Sequence, residues 1–147
     1  EQRGTGHAVL VALPEISAQT ILVLNGDMPL ITAEHVAHII TEHRANNRAI
    51  TFAVAHNSDP TLPGYGRVVE TNGKIKIVEA REYTGDTQVD CYINAGIYCI
   101  EADLARTLLP QLGAIHGEIR ITDLIGAAVE RELAVGYTIL PFDTVRG

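Results

Sequence analysis

The stretch that decides the fold is residues 20–55, TILVLNGDMPLITAEHVAHIITEHRANNRAITFAVA. Its first five residues are apolar and rich in β-branched side chains, and Asn25-Gly26-Asp27 closes them off. That is the pattern of a buried strand of the parallel-sheet type. Thr32 then reads as an N-cap with Glu34 in the first turn, opening a helix that runs to about Ala45. Val36, Ile39, Ile40 and His43 mark its inner face. Residues 49–55 (AITFAVA) form a second buried strand. Strand, helix, strand implies a right-handed crossover and an α/β sheet.

Working outward, residues 5–13 read as a helix with Ala8, Val9 and Ala12 on one side, ended by Pro14. Downstream, Gly64-Tyr65-Gly66 makes a turn. Residues 67–70 and 74–79 then alternate across Thr71-Asn72-Gly73, which predicts a β-hairpin. Residues 88–100 carry another strand, with Ile93, Ala95, Ile97 and Cys99 alternating against Asn94, Gly96 and Tyr98. Residues 102–112 and 121–133 look helical, and residues 135–140 give a last strand. No internal repeat or low-complexity linker interrupts the chain. The reading is one α/β domain over residues 1–147, with an antiparallel insert.

Composition narrows the function classes. The chain has 147 residues, 46% hydrophobic and 20% charged, which suits one folded domain and excludes a disordered chain. Its longest apolar runs are far shorter than the roughly 20 residues that span a bilayer, so no membrane partner is expected. A net charge of −7 leaves no basic stripe for a nucleic-acid backbone. It remains compatible with small phosphate-bearing ligands held by backbone N–H groups and a divalent metal. Cys91 and Cys99 lack metal-site spacing, and no secretory leader opens the chain, so a reducing, cytoplasmic setting is expected. The start at Glu1 without Met and the stop at Gly147 read like a piece of something longer.

Several short motifs could carry chemistry. Gly4-Thr5-Gly6-His7 precedes a helix, so its amides could face a phosphate or a nucleobase, although a tight turn alone accounts for the glycines. Asn25-Gly26-Asp27 sits at the carboxyl end of a strand, where ligands collect in open α/β sheets. Asp27 offers a hard oxygen ligand to Mg²⁺, or else it simply caps the turn. Gly64-Tyr65-Gly66 could bring backbone close to a ligand. Glu79 and Asn94 could bond sugar hydroxyls. His35 and His38 are three apart on one helix, but they lack a Glu-x-x-His partner pattern and read as surface or half-buried imidazoles. No Gly-x-Ser-x-Gly and no candidate Cys nucleophile supports covalent catalysis.

Taken in order, Glu1 to Ala8, Leu24 to Ile31, Gly64 to Val68, Ile77 to Glu79, Ile93 to Ile97, and Gly117-Glu118 through Ile121-Thr122-Asp123 resemble one family. It is the uridyltransferase domain of the bifunctional bacterial UDP-N-acetylglucosamine pyrophosphorylase and glucosamine-1-phosphate acetyltransferase, and the likeness covers nearly the whole chain. The resemblance implies a Rossmann-like nucleotidyltransferase fold, with a mixed, mostly parallel sheet that is incomplete at the N-terminus. Gly4 and Thr5 fall where that family contacts uracil. Asn25, Gly26 and Asp27 fall where it holds the nucleotide and, through the Asp, the metal Mg²⁺. Gly66, Glu79, Asn94 and Thr122 fall on its contacts to the N-acetylglucosamine moiety.

The implied reaction joins UTP and N-acetylglucosamine 1-phosphate into UDP-N-acetylglucosamine and pyrophosphate, for peptidoglycan and lipopolysaccharide precursors. It needs alignment and charge neutralisation rather than a protein nucleophile. The family's Gly-rich loop and a following Lys lie before this chain's start, and an Asn metal ligand lies just beyond Val145-Arg146-Gly147. The acetyltransferase domain, through which the parent family trimerises, is also absent. Ile119-Arg120 stands where a Tyr pair is common. The isolated chain is therefore expected to be catalytically impaired. Two other readings stay open: a nucleotidyltransferase for another nucleotide or sugar, and a non-catalytic sugar-nucleotide-binding module.

Overall fold

The computed structural model describes residues 3–57, 64–83 and 91–145. The strand expected at residues 88–90, and the motif residues Glu1, Gln2, Arg146 and Gly147, lie outside the described residues. In chain order the elements are α1 (Thr5–Ala12), β1 (Thr20–Leu24), α2 (Ala33–Ala45), β2 (Ile50–Asn57), β3 (Arg67–Thr71), β4 (Lys74–Val78), β5 (Cys91–Glu101), α3 (Ala102–Leu108), α4 (Ile121–Glu130), β6 (Val135–Ile139) and α5 (Phe142–Val145). Pro14 and Pro110 each lie in a 3₁₀ turn that prolongs the preceding helix.

The six strands form one sheet, in the order β4-β3-β5-β2-β6, with β1 also paired to β5. β5 is its hub. It lies antiparallel to β1, β2 and β3, while β2 and β6 form the one parallel pair among the described strands. The resemblance implied a mostly parallel sheet, and the strand–helix–strand reading of residues 20–55 a right-handed crossover between β1 and β2. They do run the same way, but β5 is inserted between them, so the mixed sheet has mainly antiparallel pairings. The alternation within β5 says which residues share a face, and nothing local in it says which strands flank that face.

Helices cover both faces, which explains why β2 and β5 are apolar on both sides. Ile50, Phe52 and Val54 of β2, with Tyr98 and Ile100 of β5, pack against α1, α3 and α4. Ala53, Ala55, Ile93, Ala95, Ile97 and Cys99 face the other way, against Ile39 of α2 and Val145 of α5. Thr32 caps α2 by accepting from the His35 amide at 3.4 Å, and the His35 ring takes the Thr32 amide at 3.2 Å. His43 is buried but satisfied, lying 3.1 Å from the Thr51 hydroxyl and 2.9 Å from Glu101. Asn72 and Gly73, both with positive φ, make the hairpin turn between β3 and β4.

One irregularity in the sheet shapes its carboxyl edge. Phe52 pairs with Tyr98 and Val54 with Asn94, so β5 carries extra residues between these pairs. Gly96, at φ 73°, sits in that bulge. Because Leu24 pairs with Ile97, the bulge lies beside Asn25 as the chain leaves β1.

Candidate active site

A cleft of about 620 Å³ opens beyond the carboxyl end of β1, a size suited to a small ligand. Its wall brings together Gly4 and Thr5, Asn25 and Asp27, and Gly66, Glu79, Asn94 and Thr122. These residues come from segments spread along the whole chain. Gly26 lies in the turn between Asn25 and Asp27 but is not part of the wall. Tyr65, Arg81, Gly96, Tyr98, Glu118 and Arg120 line the same cleft.

At one end, Gly4 approaches the segment that precedes α4. A Cβ on Gly4 would sit 2.6 Å from the Ile119 carbonyl oxygen, and its φ of 96° disfavours any L side chain. The Gly6 and His7 amides donate to that carbonyl at 2.8 and 3.3 Å. The Gly6 and His7 amides are thus spent on the protein, as the tight-turn reading of these glycines has it, while Gly4 and Thr5 line the cleft. The Thr5 hydroxyl accepts from the Ile121 amide at 3.1 Å, which ties α1 to α4.

In the middle of the cleft, Asn25 and Asp27 are exposed on the loop after β1. Gly96 permits this approach, since a Cβ there would collide with the Asn25 side-chain nitrogen. Asn94 is held on both sides. Its amide nitrogen donates to the Tyr98 hydroxyl at 2.7 Å, its side-chain oxygen accepts from the Gly96 amide at 3.2 Å, and its backbone N–H donates to Gly66 at 2.8 Å. Burial pushes the Tyr98 phenol up to about 12, outweighing the Asn94 hydrogen bond that lowers it. Tyr98 is therefore a neutral orienting group at ordinary pH.

At the other end, the Thr122 hydroxyl donates to Glu79 at 2.7 Å. A Cβ on Gly66 would press on the Ile77 side chain at 3.0 Å and approach Glu79 at 3.6 Å. Arg120 grips both Asp123 oxygens at 3.0 and 2.9 Å and reaches Glu82 at 2.6 Å. The paired carboxylate of Asp123 holds the guanidinium well above its ordinary pKa, and the Arg120 hydrogen bond holds Glu82 below the ordinary 4.5.

Other groups do not join the cleft. His38 contacts the Thr138 hydroxyl at 2.8 Å and His35 caps α2, in keeping with the reading of both as non-ligands. Burial pushes the Cys99 thiol up to about 11, which leaves it a poor nucleophile. Among the described residues, no group of three or more His, Cys, Asp or Glu side chains could hold a metal ion. No helix among them is long and apolar enough to cross a membrane.

Among the cleft-lining residues to which sequence reasoning gives no role are Tyr98, Gly96 and Arg81. The glycine in mid-strand at position 96 is the available signal, because a Gly there marks a bulge or a close approach. Nothing local distinguishes Tyr98 from a core aromatic.

The open mixed sheet covered by helices, with its cleft at the strand ends, is an architecture that takes ligands at that edge. The MobA-like NTP transferase domain family matches residues 1–131, and the chain belongs to that family. The bifunctional protein GlmU of Trichlorobacter lovleyi is 37% identical over 135 residues, which make up 88% of this chain and 29% of that protein. GlmU of Corynebacterium efficiens is 35% identical over 134 residues, 87% of this chain and 27% of that protein. The chain thus spans under a third of the length of these relatives.

Solved structures share the fold at low identity. The inositol-1-phosphate CTP transferase of T. maritima superposes with a TM-score of 0.66 at 14% identity, over 96% of this chain and 54% of that one. The CMP:2-keto-3-deoxy-manno-octonic acid synthetase complexed with CTP gives 0.63 at 16%, over 93% and 60%. The fold is accordingly the Rossmann-like nucleotidyltransferase fold expected from the sequence.

Proposed function

We propose that this cleft belongs to a sugar-phosphate uridylyltransferase, which joins UTP to N-acetylglucosamine 1-phosphate and releases pyrophosphate. The observation that carries the reading is the convergence on one cleft wall of eight residues to which the family resemblance gives base, nucleotide and sugar contacts. Gly4 and Thr5 would take the uracil end and Asn25 the nucleotide. Glu79, Asn94, Gly66 and Thr122 would take the sugar. Similarity to GlmU supports the same substrates.

In this reaction an oxygen of the sugar 1-phosphate attacks the α-phosphorus of UTP. A new P–O bond forms as the bond to the bridging oxygen breaks, and that electron pair leaves on pyrophosphate. The residues supply position, since two substrates held in line react far faster than two that must meet. The Glu79 carboxylate, fixed by Thr122, accepts from sugar hydroxyls. The Asn94 amide, fixed by Tyr98 and Gly96, presents its remaining capacity to the sugar.

Asp27, an exposed carboxylate on the loop after β1 that lines the cleft, fits Mg²⁺, which is commonly bound by one or two carboxylates together with substrate phosphates. When bound, Mg²⁺ neutralises phosphate charge. The expected setting is cytoplasmic, and the partners are these small molecules.

Nucleotide competition tests the assignment. UDP-N-acetylglucosamine bound to the chain should be displaced by UTP at least about tenfold more readily than by GTP, the equivalent of about 1.4 kcal/mol. Equal displacement by both would overturn uridine selectivity and favour a nucleotidyltransferase of another specificity.

A further inference from the structure

We propose that Arg120 is a positioning residue which locks the sugar-end loop of the cleft against the start of α4. The inference rests on the uridylyltransferase reading of the cleft, and it concerns a position where this chain departs from the Tyr pair common in the resembled family.

Arg120 is the residue just before α4, with extended backbone (φ −97°, ψ 141°) and no side-chain cap on the helix. Its side chain is 11% exposed. Nε and one terminal nitrogen clasp both oxygens of Asp123 in the first turn of α4, a planar two-point grip that a lysine cannot reproduce. The other terminal nitrogen donates to Glu82 across the cleft wall. Glu82 is bound in turn to the sugar-side loop, because its amide donates to the Glu79 carbonyl at 2.9 Å. Glu79 is the residue that accepts the Thr122 hydroxyl. Arg120 and Thr122 therefore fasten the same loop to the same helix end at two points, and Glu79 lies in the closed circuit between them.

The backbone of this strip faces the other way. The Ile119 carbonyl takes the Gly6 and His7 amides, the Ile119 amide donates to Arg3 at 2.8 Å, and the Ile121 amide donates to Thr5. Residues 119–122 thus hold the base-end loop with their main chain and the sugar-end loop with their side chains.

Electrostatics give the guanidinium its weight. Glu79, Glu82, Glu118 and Asp123 gather at this end, while Arg81 lies 3.6 Å from Glu118 on the exposed rim. Arg120 is the cation placed between Glu82 and Asp123. Its removal takes away the side-chain link between residues 79–82 and Asp123 of α4, and leaves that loop held to the helix through the Thr122–Glu79 bond. The direct consequence is a less firmly placed Glu79. The base end keeps its main-chain ties and is affected less.

The test is a calorimetric titration of the 147-residue chain and its variants with UDP-N-acetylglucosamine and, separately, with UTP, both in Mg²⁺. Arg120→Leu should weaken UDP-N-acetylglucosamine about tenfold or more, as expected for losing hydrogen bonds to charged groups, and UTP less than about threefold. Arg120→Lys should recover only part of the loss. Glu82→Gln, at the exposed end of the bridge, should show the same selective loss in milder form, and it serves as the test if Arg120→Leu does not fold. Unchanged sugar-nucleotide affinity in the folded variants, or equal losses for both ligands, overturns the proposal. Failure of the parent chain to bind either ligand instead refutes the uridylyltransferase reading, and the positioning role falls with it.

Discussion

Gly96→Ala probes the link between the bulge in β5 and the cleft. The native φ of 73° lies in the left-handed region, which costs an L residue about 1–2 kcal/mol relative to glycine. The added methyl would also collide with the Asn25 side-chain nitrogen. Asn25 is exposed, so its side chain can swing aside at little energetic cost. The stability loss is then set mainly by the backbone, at about 1–2 kcal/mol. With a urea slope of about 2 kcal/mol per molar, the unfolding midpoint should fall by roughly 0.5–1 M.

The functional loss comes from a different part of the same change. Asn25 leaves the place proposed for it against the nucleotide, so affinity for UTP should fall about tenfold, in line with one lost hydrogen bond to a charged ligand. Gly113→Ala is the control, since its added methyl meets nothing within 4 Å. Urea unfolding followed by circular dichroism, with UTP titration of each folded variant, reads both effects. Gly96→Ala as stable as the parent chain, with unchanged UTP affinity, would refute the role assigned to the bulge.

Other positions give sharp expectations of their own. Gly126→Ala in the interior of α4, where the new methyl meets nothing within 4 Å beyond its own helix, should raise stability by about 0.5–1 kcal/mol; a loss would show that the groove beside it is occupied. Because Arg120 lowers the Glu82 pKa, the stabilising contribution of that pair is present above the ordinary 4.5 and is lost as pH falls through the lowered folded value; a Glu82 carboxyl carbon resonance titrating at or above 4.5 would contradict the bridge. Tyr98 responds to alkali with the opposite sign. Its phenol is raised above the ordinary 10, so its contribution to stability is present below that value and is lost as pH rises through about 12. Absorbance titration of the five tyrosines should therefore show one late step that Tyr98→Phe removes, and persistence of that step in the variant would move the shift to another residue.

How much of the fold is legible in the sequence depends on the range of each signal. Residues 20–55 carry their strands, helix and cap in local patterns, and Thr32 indeed caps α2. The hairpin turn is legible because Asn72 and Gly73 are residues that tolerate positive φ. The insertion of β5 between β1 and β2 is not, since strand order is fixed by contacts some 80 residues apart in the chain and leaves no mark on either partner. In the cleft, Asp27 stands out by residue type at the carboxyl end of β1, while Glu79 and Asn94 are picked out only by the family resemblance. Tyr98 does not stand out, because a tyrosine in an apolar strand looks the same whether its hydroxyl orients an asparagine or a water. The use of the Gly6 and His7 amides by Ile119 is equally hidden, because the acceptor is a backbone carbonyl more than 100 residues downstream.

Calorimetric titration of the folded chain with UDP-N-acetylglucosamine, in the presence and absence of Mg²⁺ and repeated on Asp27→Asn, tests the assignment of the cleft most directly. The expected result is saturable binding that strengthens with Mg²⁺ in the parent chain and loses that strengthening in Asp27→Asn, with the variant's unfolding transition unchanged. Binding with the same Mg²⁺ dependence in both proteins would remove Asp27 from the site. Absence of binding by the folded parent chain would contradict the assignment of the sugar-nucleotide site to this cleft.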